Sequence, residues 1–295
     1  MVKAKSAIPE GFRSLTPYLI VDSAKNFLEF IRNAFAAREK FLMRDKNGAI
    51  RHAEARIGDS IIEFAEAGPG WSAMPAGLHH YVKNSDEVYA RALQAGGTSL
   101  YEPANRDYGD REAGVRDPAG NFWFIATHTA GKSYRPEILQ ELNTYFSVKD
   151  AGYFLDFLKK AFGAEVIQKD VSSNCTIQHA KVRIADTVVE LSEGRTPWGP
   201  RAVALHYYVE NCDAVFARGL ANGCTELQPL ADQAYGDRSG SLLDNWGNHW
   251  YIASHLEELT TEEISQRSAA TGNRERLRSE FPCQRFDAAL ASSSA

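Results

Sequence analysis

Hydrophobic and polar positions along this chain fall into short strand-like runs separated by stretches of helical period. Tyr18-Leu19-Ile20-Val21 is a β-type run. Asp22-Ser23 then offers an N-cap before Ala24, Phe27, Leu28, Ile31, Ala34 and Phe35, which recur at helical spacing. Residues 39–44 and 50–57 read as strands around Asn47-Gly48, a dipeptide that tolerates the positive φ of a tight hairpin. Gly58-Asp59 turns the chain into a further strand at 60–65. After the Gly/Pro-rich stretch 67–77 the order starts again. A strand at 78–82 precedes a helix capped at Ser85-Asp86, carrying Val88, Tyr89, Ala92 and Leu93 and stopped by Gly96-Gly97. Strands at 99–102, 113–116 and 122–127 complete a second βαβββ unit.

Shifted by 127 residues, the chain matches itself without a gap. His52-Ala53 falls on His179-Ala180, and Leu78-His79 on Leu205-His206. Tyr108-Gly109-Asp110-Arg111 falls on Tyr235-Gly236-Asp237-Arg238, and Gly120-Asn121 with Trp123 on Gly247-Asn248 with Trp250. A period of this length is that of a whole domain rather than a solenoid unit. The expected fold is therefore α+β, a tandem duplication of a βαβββ-βαβββ module, with domains at 12–128 and 139–255. Residues 256–295 are expected to be helical at first and then a loose, Ala- and Ser-rich tail.

Composition narrows the function classes. With 44% hydrophobic and 24% charged residues, the chain has the make-up of a globular protein, and its net charge of −5 argues against a nucleic-acid partner. No run approaches the length of a membrane span, and the N-terminus has no signal-type apolar stretch. Cys175, Cys212, Cys224 and Cys283 show no CxxC spacing and do not recur between repeats, so they read as reduced thiols of a cytoplasmic protein.

The order βαβββ twice per repeat, with Tyr-Gly-Asp-Arg, Asp-Pro-x-Gly-Asn-x-Trp and a closing Ile-Ala-x-His, resembles the vicinal oxygen chelate superfamily. Within it the glyoxalase/bleomycin-resistance group, and its PhnB-like branch in particular, is the most similar. The resemblance implies concave small-molecule sites, each closed by the two halves of one repeat. It also implies domains paired within the chain, as single-domain relatives pair, with a homodimer of the whole chain left open. It does not imply one chemistry, because this scaffold carries lyases, isomerases, dioxygenases and non-catalytic binders.

In such a fold, alternation along each strand sorts side chains by face. Leu78, His80 and Val82 belong under the helix, which turns His79 and Tyr81 inward; His206 and Tyr208 follow in the second repeat. His52, Glu54 and Arg56 face inward on their strand, as do His179, Lys181 and Arg183, and Glu63 and Glu190 on the next. Two candidate sets follow, His52/Glu63/His79 and His179/Glu190/His206. Two histidines and a carboxylate suit a divalent metal, and they equally suit mutual hydrogen bonding or direct ligand contact. The positions that supply metal in metal-dependent relatives match Thr16, Glu63, Gly77 and Phe124, and Asn143, Glu190, Ala204 and Tyr251. Only the glutamates among them ligate well, so no cofactor is assigned and a divalent metal stays an option.

Trp123 and Trp250 read as helix-packing core, and His128 and His255 as hydrogen-bonding residues. Arg111 and Arg238 either pin a turn beside the preceding aspartate or meet an anionic ligand. His249 and Tyr251, against Phe122 and Phe124, make the second repeat's site more polar, and Asn143 and Ser147 against Thr16 and Ile20 add to this. The expected function is capture of an aromatic or planar small molecule, with Tyr18, Tyr81, Phe124, Tyr145, Tyr208 and Tyr251 as stacking surfaces. The alternative is a metal-dependent lyase, isomerase or dioxygenase using His/Glu/His.

Overall fold

A computed structural model describes residues 2–45, 47–69 and 71–270. After the short β1 (Val2–Lys3), four βαβββ units follow one another. The first holds β2 (Leu15–Val21), α1 (Ala24–Phe35), β3 (Arg38–Arg44), β4 (Ile50–Ile57) and β5 (Ser60–Glu66). The next holds β6 (Gly77–Tyr81), α2 (Ser85–Gln94), β7 (Thr98–Asn105), β8 (Asp110–Arg116) and β9 (Phe122–His128). The second repeat gives β10 (Leu142–Val148), α3 (Ala151–Phe162), β11 (Glu165–Val171), β12 (Ile177–Ile184) and β13 (Thr187–Glu193). Its other half is β14 (Ala204–Tyr208), α4 (Cys212–Ala221), β15 (Thr225–Asp232), β16 (Asp237–Leu243) and β17 (His249–His255). The chain then forms β18 (Glu257–Glu258), which pairs with β1, and α5 (Thr261–Ala270). The expected tail beyond 270, with Cys283, lies outside the described residues. Among the described residues no helix is long and apolar enough to cross a membrane.

Helix signals in the sequence act largely as expected. Ser23 caps α1 by accepting the Asn26 N–H, and α1 buries Phe27, Leu28, Ile31, Ala34 and Phe35. At α2 the cap is Asn84, one residue before the expected Ser85, and its side chain accepts the Glu87 N–H. Within each repeat the two helices pack together. The Arg91 Nε donates to the Ala34 carbonyl at the end of α1, and Arg218 does the same to Ala161 at the end of α3. Phe35 lies 4.3 Å from Trp123, and Phe162 4.4 Å from Trp250, ring centre to ring centre.

The Asp-Pro-x-Gly-Asn-x-Trp motif is explained by this packing. Asp117 is fully ringed by donors: the Ala119 and Asn121 amides, the Asn121 side chain and the Trp123 indole. Asp244 gathers the same set in the second repeat. A buried carboxylate needs such compensation, and here it also fixes the indole that both helices pack around. Burial still wins at Asp244, whose carboxyl is pushed up to about 6.

The sheets do not close within a repeat, which corrects the expected pairing of halves. Two eight-stranded sheets run in the orders β11-β12-β13-β10-β6-β9-β8-β7 and β15-β16-β17-β14-β2-β5-β4-β3. Each joins the first half of one repeat to the second half of the other. The antiparallel seams are β14 on β2, with His206 opposite Thr16, and β10 on β6, with Asn143 opposite His79. An isolated unit would leave one edge of β2 or β10 with bare N–H and C=O groups, and the crossing satisfies them. Each repeat therefore owns its helix-side core, while each concave face belongs to both repeats.

Candidate functional site

The concave face of β2–β5 and β14–β17 forms the first cavity. Leu19 and Val21 pack under the helices, whereas Tyr18 and Ile20 cluster on the opposite face with Ala65, Ala204, Trp71 and Tyr251. Tyr251 is the hub. Its ring centre lies 5.1 Å from Tyr18, 6.1 Å from Trp71, 6.2 Å from His206 and 4.6 Å from His249. His206 turns Nδ1 to both oxygens of Glu63, at 3.1 and 3.2 Å, and stacks on Tyr208 at 4.1 Å. His52 stands 3.7 Å from Glu63 and 3.5 Å from the Tyr18 hydroxyl. Burial alone would depress the His206 imidazole, but the Glu63 charge and hydrogen bond outweigh it and raise its pKa. Burial alone pushes His249 down to about 4, so it is neutral near pH 7.

Unpartnered polar atoms gather in this cavity. Trp71 Nε1, His206 Nε2, Ser241 Oγ, His249 Nε2 and the Tyr251 hydroxyl are buried without a hydrogen-bond partner among the described residues. Trp71 and Tyr251 approach each other, yet no hydrogen bond of sound geometry closes between them. Native proteins leave few buried polar groups unsatisfied, and five of those in this chain's described residues meet at this hub.

The concave face of β6–β9 and β10–β13 forms the second cavity. Here His79 Nδ1 lies 2.6 Å from Glu190, and His179 Nε2 lies 3.2 Å from the other oxygen of that carboxylate. The His79 Nε2 faces Glu112 at 3.5 Å, and Glu112 accepts the Tyr101 hydroxyl at 2.7 Å. Burial works against the His79 charge, but Glu190, Glu112 and Asp110 outweigh it and raise the imidazole to about 9. Burial likewise opposes ionised Glu190, and the flanking histidines pull it far below the usual range. Phe122, Phe124 and Tyr101 surround Trp198 with centre distances of 5.6 to 6.2 Å, and the Arg201 guanidinium sits 3.5 Å over the Phe122 ring. Rings crowd this cavity as they do the first, and His79 Nε2, Arg106 Nε and Arg201 Nε are likewise buried without a hydrogen-bond partner among the described residues.

The structure regroups the expected sets. His79 stands with His179 and Glu190, and His206 with His52 and Glu63, because the third strand comes from the other repeat. Tyr208 and Tyr81 send their hydroxyls to Asp237 and Asp110, which also hold His255 and His128 at 2.6 Å. Arg111 and Arg238 do not reach a cavity. They form forked ion pairs with Asp86 and Asp213 in the first turns of α2 and α4, which tie β8 and β16 to the helices. Asn143 and Ser147 do not enrich the polar site either. Asn143 makes a turn with Gln140, and Ser147 holds the Trp198 loop by donating to the Trp198 and Gly199 carbonyls.

The register also relocates the positions expected to serve a metal. His206 lies opposite Thr16 and Tyr251, and His79 opposite Asn143 and Phe124, so histidine stands where Gly77 and Ala204 were expected. The donors still do not fit a catalytic divalent metal. Phe124 has no ligand atom, Asn143 is consumed by its turn, and burial drives the Tyr251 phenol far from ionisation. Each glutamate is instead taken up by histidine. Among the described residues no three His, Cys, Asp or Glu side chains are placed to share an ion.

Trp71, Trp198, Glu112 and Tyr101 escape the sequence reading. Both tryptophans lie in non-periodic loops. Glu112 could have been found, since Ala113 and Val115 are helix-side and their neighbours must face inward.

Comparison with known proteins agrees with this architecture. The profile described as Glyoxalase/Bleomycin resistance protein/Dioxygenase superfamily matches residues 14–125 and again 141–252. An uncharacterized protein of Mycobacterium bovis is 31% identical over 143 residues, which is 45% of this chain and 94% of that one. An uncharacterized protein of Mycobacterium tuberculosis shares the same identity over 143 residues, 45% of this chain and 84% of its own. Glyoxalase I from Zea mays superposes with a TM-score of 0.63 at 16% identity, covering 87% of this chain and 95% of that one, a likeness of fold.

Proposed function

This chain belongs to the Glyoxalase/Bleomycin resistance protein/Dioxygenase superfamily, and on that premise we propose that it captures a planar small molecule in the first cavity. One observation carries the reading: the five unpartnered polar atoms around Tyr251, framed by the rings of Tyr18, Trp71 and His206. Rings supply stacking area, and a few placed polar groups orient the guest. His206, Tyr208, His249 and Tyr251 act here together with Tyr18, His52 and Glu63 of the first repeat. His79 and Tyr81 belong to the second cavity, which in this reading is a structural counterpart. No metal-assisted step is part of the proposal, because the donor set does not fit one. The free thiols Cys175, Cys212 and Cys224 suit a cytoplasmic setting.

Saturation-transfer NMR with a set of planar aromatic compounds tests the reading. Binding is expected to wild type and to Phe124→Leu, and to be lost in Tyr251→Leu. Equal binding to both variants places the guest elsewhere and removes the proposal.

A further inference from the structure

From the donors that converge on Tyr251, we infer that the guest of the first cavity is an aromatic acid, presenting carboxylate or enolate oxygens to His206 Nε2 and Trp71 Nε1. The inference rests on the binding reading above and names the chemistry of the guest's head group.

The argument starts from what each unpartnered atom is able to do. An indole N–H donates and never accepts. His206 has Nδ1 turned to both Glu63 oxygens, so that nitrogen carries a proton toward the carboxylate. Glu63 raises the His206 pKa and so favours the charged form, in which Nε2 donates as well. The indole is thus an obligate donor, and Nε2 donates whenever the imidazole is charged. Ser241 Oγ, the Tyr251 hydroxyl and neutral His249 Nε2 are adaptable, able to donate or accept. A head group made only of acceptors satisfies the indole and the charged imidazole and lets the others donate to it or to one another. A head group made only of donors leaves the indole and imidazolium unpaired in a buried site, which is expensive.

Charge points the same way. Three carboxylates act on His206, and each has a basic partner: Glu63 the imidazole itself, Glu54 Lys40 and Asp237 His255. Ser239 stands where the other repeat has Glu112, so no carboxylate meets His206 Nε2 as Glu112 meets His79 Nε2. The body of the guest is set by the rings. Tyr18, Trp71 and Tyr251 pack in contact, with centres 5.1 to 6.1 Å apart at mutual angles of 35 to 81°, an aromatic surface for a flat ring to lie against.

Two probes with one ring system separate the possibilities: 2-naphthoate and 2-naphthylmethylamine, titrated by NMR into the full chain and into Trp71→Phe and His206→Gln. Naphthoate is expected to bind at least ten-fold more tightly than the amine. Each substitution should weaken naphthoate roughly 10- to 100-fold, the usual loss for a hydrogen bond to a charged group, and leave the amine unchanged. Trp71 lies in a loop outside the sheets, so Trp71→Phe keeps the test decisive should His206→Gln fail to fold. Equal or tighter binding of the amine, or naphthoate binding indifferent to Trp71→Phe, overturns the inference and leaves planar-ligand capture standing. Failure of either probe to perturb Tyr251 overturns both.

Discussion

The two cavities are built from equivalent residues and differ chiefly in one carboxylate. In the second, His79 stands between Glu190 at 2.6 Å and Glu112 at 3.5 Å, so its Nε2, though without a hydrogen bond of its own, faces a carboxylate. In the first, His206 keeps the equivalent Glu63, at 3.1 Å, but Ser239 replaces Glu112 and Nε2 stays unpartnered. Aromatic substitutions reinforce the contrast. Phe122 and Phe124 seal one cavity where His249 and Tyr251 leave polar atoms exposed to the interior of the other. Similar scaffolds thus hold two sites of different polarity, with five unpartnered polar atoms in the first against three in the second among the described residues.

The contrast is broken most severely at Glu190. Glu190→Gln removes the charge shared by two histidines in a buried site and should cost about 3–5 kcal/mol in urea denaturation. Glu63→Gln should cost less, since the His206 contact is longer. Equal losses would mean that the two ion pairs are equivalent after all.

Next in size is the conversion of one cavity into the other. Ser239→Glu places a carboxylate near the open face of His206, as Glu112 stands by His79. Naphthoate binding should fall at least ten-fold, while the melting temperature holds or rises. Unchanged affinity would show that the open imidazolium face does not meet the guest.

A smaller, graded effect is expected with pH. The His79 pKa is about 9 in the folded chain, raised despite burial by Glu190, Glu112 and Asp110, against about 6.5 in the unfolded chain. The folded state then holds the extra proton between these values. Its stabilisation is complete below about pH 6.5 and is lost as the pH rises through about 9, by at most about 1.4 kcal/mol per pH unit. Glu190, lowered in the folded state, contributes in the other direction and loses its stabilisation as acid protonates it. In Glu190→Gln the alkaline decline should flatten, and a slope that persists would assign it to another group.

The smallest effect belongs to the arginines. Arg111→Ala and Arg238→Ala break exposed ion pairs with Asp86 and Asp213, away from both cavities. Neither ligand affinity nor unfolding midpoint should move appreciably. A loss of affinity in Arg238→Ala would return that side chain to the site.

How much of this was written in the sequence depends on the range of the interaction. Period-two alternation placed His52, Glu63, His79, His206 and Tyr251 on the concave faces, because face is a local property of a strand. The crossing of the sheets was hidden by the repeat itself. Exchanging His79 for His206 gives the same His/Glu/His composition, so neither closure is favoured by residue types. The metal positions slipped by two residues for the same reason: the seams β6–β10 and β2–β14 fix that register, and no local pattern encodes them. Trp71 and Trp198 were invisible because loops have no period. The arginines were misplaced because Tyr-Gly-Asp-Arg reads as a turn, whereas their partners lie 25 residues earlier, at the helix starts.

The crossed sheets have a consequence for how such a molecule diversifies. A pair of identical single-repeat chains must carry two identical cavities, since any change in one copy appears in the other. Fusing the repeats removes that constraint, and drawing each cavity from both repeats means neither repeat can specialise alone. A change in β16 alters only the first cavity and one in β8 only the second, although the two strands are copies of each other. The position shared by Glu112 and Ser239 shows the freedom this brings: one copy keeps a carboxylate against its histidine, and its twin has given it up.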